Sequence, residues 1–570
     1  MRNIYGMLQL CFLLLFPMGL LFSQDAAGQQ TADDFITLDS GIYISPQGSD
    51  YAEGNREKPF RSLKKALDYM KISGKKVIYA DSGRYFVDST LKVTFDVEIL
   101  GSAFWKQDNK EGGAVIIESW EPAANGDAMF SVHNAKLTLK GIDIKDVHRH
   151  FTDILRVTQG TLSCEKVTIE YSAAYNSSAV HISDGTLKMA DTIINANGPN
   201  RSIALKGIHS TMVLARMEIN GGSGSDEFSA VAGTSGSTIT AESLTIKPGH
   251  GGTLTGIIIE KGNLSLRDTT LQTGVSSRES VCILGKNSKV SLSHNTFIAD
   301  ENPYKVKAVS VFASKLEISS CKFILSALSG VQGVYAYQGE ITMRDSYLAA
   351  GKALEYYYCV QLEQTTGKGC NNIIVGGEST DCVNLMLTDS ASRWINNTVI
   401  GGNGSNLTAG IFIRGSVYPL LINNIISRKE PADGTALYIV SNEEKPFYLL
   451  ANNISGWEVY LQYANIPGKK NYTAITTTIK TIEELNHYDL VPFGGTVDIN
   501  INEAYDDTFE SGGHNTLYQL RPSSRCVDAG IDVNTQQFQG PSTDYAGNPR
   551  PNPKGAKAIY DIGAFELSGK

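Results

Sequence analysis

Asp143, Asp146, His148, Arg149 and His150 put two carboxylates, two imidazoles and a guanidinium within eight residues. An acid to protonate a leaving group, an imidazole to accept a proton and a cation to neutralise developing charge are the parts that general acid–base catalysis needs. These five are the catalytic candidates of the chain, and Tyr171, Tyr175 and Asn176 could line the same wall. The plainer reading is a solvated loop leaving a strand. A second set, Tyr335 and Tyr337 followed by Tyr356, Tyr357 and Tyr358, is the ligand-binding candidate, because a tyrosine face packs on the apolar face of a pyranose while its hydroxyl hydrogen-bonds. Packing between neighbouring elements explains those rings equally well.

No cofactor is expected from these residue types. Gly221-Gly222-Ser223-Gly224-Ser225-Asp226 fits a Gly-Gly-x-Gly-x-Asp calcium pattern, making calcium the one ion to consider. Such sites are shared between tandem copies, however, and a single copy reads as a flexible loop. Outside the N-terminal apolar run there are seven cysteines, an odd number without disulfide spacing. Cys164 and Cys321 read as small buried hydrophobes. Cys359, Cys370 and Cys382 lie close enough in sequence to raise a disulfide, but without a matching His they make a poor zinc site.

The elements that must carry these residues follow from a repeat. Leu137, Leu162, Leu187, Met212, Ile239, Leu264, Val290, Leu316 and Ile341 recur at steps of 25 to 27 residues. Each has an apolar or small partner two positions on (Leu139, Cys164, Met189 and onward) and another seven positions on (Ile144, Ile169, Ile194 and onward). An i, i+2 spacing puts both side chains on one face of a strand. The repeats are rich in Thr, Ser, Ile, Val and Gly, which disfavours helical repeats, and a propeller blade would need about 40 residues. The remaining architecture is a parallel β-helix, expected to be right-handed, with strands about 4.8 Å apart from turn to turn.

Asn371-Asn372, Asn396-Asn397, Asn423-Asn424 and Asn452-Asn453 extend the stack, each pair followed within two residues by Ile or Val. Asn tolerates left-handed backbone and bonds to its copy on the next turn, so these pairs predict a stacked ladder at a corner. About thirteen rungs would make a column on the order of 60 Å long.

Residues 1–28 combine Arg2, an apolar run over 7–22 and small residues, the pattern of an export signal. The apolar run is short for a membrane span and none longer follows, so no span is expected in the mature chain. Residues 29–95 form an N-terminal cap segment. Within it Leu63, Ala66, Leu67 and Met70 follow helical spacing behind a capping Ser62. Residues 96–465 form the β-helix and 466–570 an irregular closing segment, where Thr481 and Glu484 read as a capping box. A net charge of −9 gives no electrostatic footprint for nucleic acid.

Two stretches carry a resemblance. Gly41-Ile-Tyr-Ile-Ser-Pro-Gln-Gly-Ser-Asp50, Pro59-Phe-Arg-Ser-Leu-Lys-Lys-Ala66 and Gly83-Arg84-Tyr85 resemble the opening segment, often described as a domain of unknown function, of secreted bacterial β-helix proteins of the pectate-lyase-like superfamily. Tyr518-Gln-Leu-Arg-Pro-Ser-Ser-Arg-Cys526-Val-Asp528-Ala-Gly530, Asp544-Tyr-Ala-Gly547 and Tyr560-Asp561-Ile-Gly563-Ala-Phe565-Glu566 are similar to the closing segment of surface proteins in that group. The resemblance implies a β-helix and location outside the cell, in the periplasm or at the surface; it implies no single chemistry, since fold does not fix function.

Three functional readings follow. The first is a secreted or surface-attached scaffold that binds a polysaccharide or a cell-surface protein without catalysis. The second is a polysaccharide lyase or glycoside hydrolase, which requires acidic and basic groups from adjacent rungs to converge in one groove. The third is a structural or adhesive rod with flat polar faces.

Overall fold

Leu137, Leu162, Leu187, Met212, Ile239, Leu264, Val290, Leu316 and Ile341 stand directly over one another in parallel register. The computed structural model describes residues 40–106, 113–119, 126–146, 151–172, 177–197, 201–299, 303–417, 419–441, 448–465, 475–487, 496–510, 518–535, 538–550 and 560–567. From Gly41 onward the chain forms one unit, an all-β parallel solenoid. The third apolar position stacks as expected, from Ile144 on Ile169 through to Phe323 on Leu348. Phe297 and Phe323 lie parallel with ring centroids 4.6 Å apart, the spacing of neighbouring parallel strands.

Each turn has three strands, exemplified by Phe151–Thr158, Thr161–Glu165 and Thr168–Ser172. Two of the corners between them are made by one residue in left-handed conformation. Gln159, Asp184 and His209 occupy one corner, and Lys166, Asp191 and Arg216 the other. The residue after the second of these corners varies along the column, as Val167, Thr192, Met217, Leu244, Thr269, Asn295, Cys321 and Ser346, before it becomes asparagine. From there Asn372 Nδ2 donates to Asn397 Oδ1, Asn397 to Asn424, Asn424 to Asn452 and Asn452 to Asn500, each at 3.0 Å. The expected ladder thus exists, with one change of register. Asn452, not Asn453, continues it, while Ala451 takes the left-handed place, because the ladder follows the hydrogen bonds and not the paired motif.

A different bend lies inside the first strand of each turn. Ala179, Ala204, Ala230, Gly256, Cys282, Ala308, Gly333, Cys359, Asn384, Gly410 and Ala436 occupy it, each followed by a buried aliphatic residue. Two successive inward residues fold the outer surface into a re-entrant corner. A Cβ on Gly256 would lie 2.5 Å from the Cys282 carbonyl oxygen, so the column there admits only small side chains.

Both ends are covered, as edge strands require. Helix Leu63–Ser73 buries Leu63, Ala66, Leu67 and Met70, with Ser62 Oγ accepting from Lys65 N. At the other end strand Ile475–Ile479 pairs antiparallel with Asn453–Asn465, and Thr481 Oγ1 caps helix Ile482–His487 by accepting from Glu484 N at 3.1 Å. The closing segment then runs back along the column as a strap. Phe509, Leu520, Ile562 and Phe565 pack on Ile373, Ile400 and Ile425. The left-handed asparagines hold it: Asn396 Nδ2 donates to Asp561 O at 2.9 Å and Asn423 Nδ2 to Ile531 O at 2.9 Å.

Candidate functional site

The re-entrant corner brings side chains of neighbouring turns together from its two flanks. Asp153 precedes the bend and Arg156 follows it, and the next turn places Ser178 on Asp153 and His181 on Arg156 in register. Ser178 Oγ donates to Asp153 Oδ1, Arg156 Nε donates to Oδ2 at 2.7 Å, and His181 Nδ1 approaches Oδ2 at 3.2 Å. The other imidazole nitrogen, Nε2, faces Ser183 Oγ at 3.4 Å. The order Asp153, His181, Ser183 is that of an acid orienting a base beside a hydroxyl.

Asp153 is 3 % exposed. Burial works to raise its pKa, but hydrogen bonds from His181, Ser178 and Arg156, with the Arg156 charge, outweigh burial and hold it below the ordinary value. Asp153 is therefore a fixed carboxylate that orients its neighbours.

Further along the same corner the surface becomes aromatic, at Tyr335, six register steps from His181 on one flank, and Tyr358, seven steps from Ser178 on the other. At about 4.8 Å per step the two regions lie about 29–34 Å apart. Tyr356 and Tyr358 stack with centroids 5.1 Å apart and planes 24° apart. Lys305 Nζ lies 5.8 Å from the Tyr356 ring and 5.6 Å from that of Tyr304. Gln332 Nε2 donates to Gln361 Oε1 across the bend at 2.6 Å, and Tyr335 Oη donates to Glu363 Oε2 at 3.4 Å. Leu328 and Leu354 are exposed, Leu354 two residues before Tyr356. Burial, then the Glu279 and Glu355 carboxylates, push the Tyr356 pKa up to about 12.

The structure divides the residues singled out from the sequence. His148, Arg149 and His150, like Tyr175 and Asn176, lie outside the described residues. Asp143 and Asp146 belong to strand Asp143–Asp146, not to a loop, and point to opposite faces. Asp146 is buried, accepting from Ser119 Oγ at 2.7 Å and from Phe151 N at 3.1 Å, so it fastens backbone and does not meet Asp143 in a shared site. Tyr335, Tyr337, Tyr356 and Tyr358 are partly exposed, whereas Tyr357 turns inward and its hydroxyl donates to Ala349 O at 2.9 Å. Strand alternation is the reason.

The calcium pattern is not a flexible loop: its residues enter strands Thr211–Gly221 and Ser223–Thr234, and Asp226 Oδ1 pairs with Arg278 at 2.8 Å. Among the described residues no group of three His, Cys, Asp or Glu side chains could hold a metal. Cys359, Cys370 and Cys382 form no disulfide; all seven described cysteines are free and buried.

No family model matches the chain, and no characterised sequence matches it. Solved structures similar in fold include a GH87 alpha-1,3-glucanase catalytic domain in complex with nigerose (13 % identity, 57 % of this chain, 67 % of that one, TM-score 0.25). A rhamnogalacturonan lyase aligns at 13 % identity over 88 % of this chain and 96 % of its own, TM-score 0.25. PfbA, a surface adhesin of Streptococcus pneumoniae, aligns at 12 % over 74 % and 94 %, TM-score 0.23. Scores this low transfer no activity. The class defined by the chain's own ladders is the parallel β-helix.

Proposed function

We propose that this chain is an exported β-helix scaffold that binds a glycan along the re-entrant corner, with residues 1–28 as its export signal. The observation that carries the reading is the outward stacked pair Tyr356 and Tyr358, beside Lys305 and exposed Leu354. Ring faces pack on the C–H faces of pyranoses, and the surrounding Gln361, Glu363 and Asp381 supply acceptors for sugar hydroxyls. Glu355 and Glu279 are paired with Lys305 and Lys307, so the surroundings present balanced charge, which suits a neutral sugar. A cell-surface protein carrying such glycans is the natural partner, and among the described residues no helix is long and apolar enough to cross a membrane.

Affinity electrophoresis and calorimetry against neutral and acidic polysaccharides test the reading. Binding of a neutral glycan weakened about tenfold, or about 1.4 kcal/mol, by Tyr356→Ala or Tyr358→Ala supports it. Wild-type affinity in both variants, or retention of no glycan, overturns it.

The catalytic alternative has one specific support, the convergence of Asp153 from one turn with Ser178, His181 and Ser183 from the next. The set holds one carboxylate, already saturated by donors, so it does not resemble the acid pair of a glycosidase.

A further inference from the structure

We propose that Asp153, His181 and Ser183 form an acyl-transfer relay, and that this end of the re-entrant corner hydrolyses carboxylic esters. Four features carry the assignment. The connectivity is that of a nucleophile, a base and an orienting acid: Ser183 Oγ at 3.4 Å from His181 Nε2, and His181 Nδ1 at 3.2 Å from Asp153 Oδ2. The acid is buried while His181 and Ser183 are partly exposed, so the reactive end is open to solvent. The Asp153 carboxylate accepts from the side chains of Arg156 and Ser178 and faces that of His181, whereas Asp146 accepts from Phe151 N as well as Ser119 Oγ; Asp153 therefore holds a side-chain constellation in place. Finally, Lys206 stands one turn beyond His181 in register and has no ion-pair partner among the described residues, leaving a cation to face developing negative charge.

In the reaction, Ser183 Oγ attacks the ester carbonyl carbon and its proton passes to His181 Nε2. Asp153 holds the Nδ1 proton and stabilises the imidazolium, and Lys206 faces the tetrahedral oxyanion. Collapse breaks the bond to the alcohol oxygen, which leaves with the Nε2 proton. Water then attacks the acyl-serine, gives a proton to Nε2, and the second collapse releases the carboxylic acid as Ser183 recovers its proton. Ester and water become acid and alcohol, with no redox partner. The separation of 3.4 Å is long for a resting contact and shortens on substrate binding in such sites. The relay stands on its own geometry; only the identity of the alcohol as a glycan hydroxyl, making the substrate an acylated sugar, rests on the preceding reading.

The test uses the mature chain, a fluorophosphonate probe with peptide mass mapping, and p-nitrophenyl acetate. Ser183 is expected to carry the probe, Ser183→Ala to lose it, and His181→Ala to slow labelling and ester turnover by about 10²–10⁴-fold. Asp153 is a positioning residue, so Asp153→Asn is read by proton NMR: the downfield His181 Nδ1 proton of the wild type should vanish along with labelling. Absence of probe on Ser183 in a protein with wild-type thermal unfolding overturns the proposal, as does labelling insensitive to His181→Ala. Ser183 labelling without glycan binding removes only the glycan reading, and glycan binding without labelling removes only the relay.

Discussion

Arg550 and Glu566 form an ion pair of 2.6 Å inside the strap, with side chains 0 % and 1 % exposed. Arg550 also donates to Gly563 O at 2.7 Å, and the Glu566 carboxylate accepts from Asp561 N at 3.1 Å. Burial presses the guanidinium pKa down, and Glu566, Asp544 and Asp561 oppose that pressure. The pair adjoins Ile562, Ala564 and Phe565, which cluster with Ile400 and Ile425 of the column.

Glu566→Gln leaves that guanidinium buried without its countercharge. A loss of about 3–5 kcal/mol is expected, because breaking one half of a buried pair strands the other. Urea unfolding measures it, and limited proteolysis should show first cleavage within 500–567. A midpoint equal to wild type would show that the pair contributes nothing.

Asn397→Ala removes the middle of the asparagine ladder. Its amide donates to Gly369 O and Asn424 Oδ1, and its oxygen accepts from Asn372 N. Stranding those buried groups should cost about 1–3 kcal/mol, read as a lower melting temperature. Asn453→Ala, on the strap side of the Asn452 rung, should leave the ladder intact.

Asp153 sets a pH dependence whose sign follows from its lowered pKa. Stability from this group is present above the ordinary value of 3.8 and is lost as pH falls through the lower folded value. Asp345 and Asp561 have raised values, chiefly from burial, and act in the opposite sense. The difference between wild type and Asp153→Asn is therefore the measurement, and it should shrink below pH 3.8.

The free thiols should be silent. Burial lifts Cys164 to about 12 and Cys370 and Cys382 to about 11, and thiolate is the reactive form. Ellman titration of the folded mature chain should find no fast thiol and, in guanidinium, seven. Reducing agent should leave the melting temperature unchanged; a lower value would reveal a disulfide.

Gly256→Val should destabilise by about 1–3 kcal/mol, since its Cβ meets the Cys282 carbonyl at 2.5 Å within the packed bend. Thermal unfolding tests this. A neutral result would show that the corner can widen.

The column was legible in the chain because stacking repeats one local decision many times: an inward Leu137 requires an inward Leu162, and a 25-residue step keeps them in register. Strand alternation, the end caps and the asparagine ladder have the same local origin. The site was not legible, because its members are single residues at outward positions where the repeat imposes no pattern. Asp153 and Ser178 sit 25 apart, as do Arg156 and His181, so the repeat length held the signal, but only knowledge of the bend shows that these columns face each other. Asp143 and Asp146, close in sequence, are parted by the strand's two-residue period, while Asp153 and His181, 28 apart, share a hydrogen bond. Apolar periodicity determined the solenoid by itself; the re-entrant corner, set by small residues folding one sheet toward another, decided which polar groups could meet.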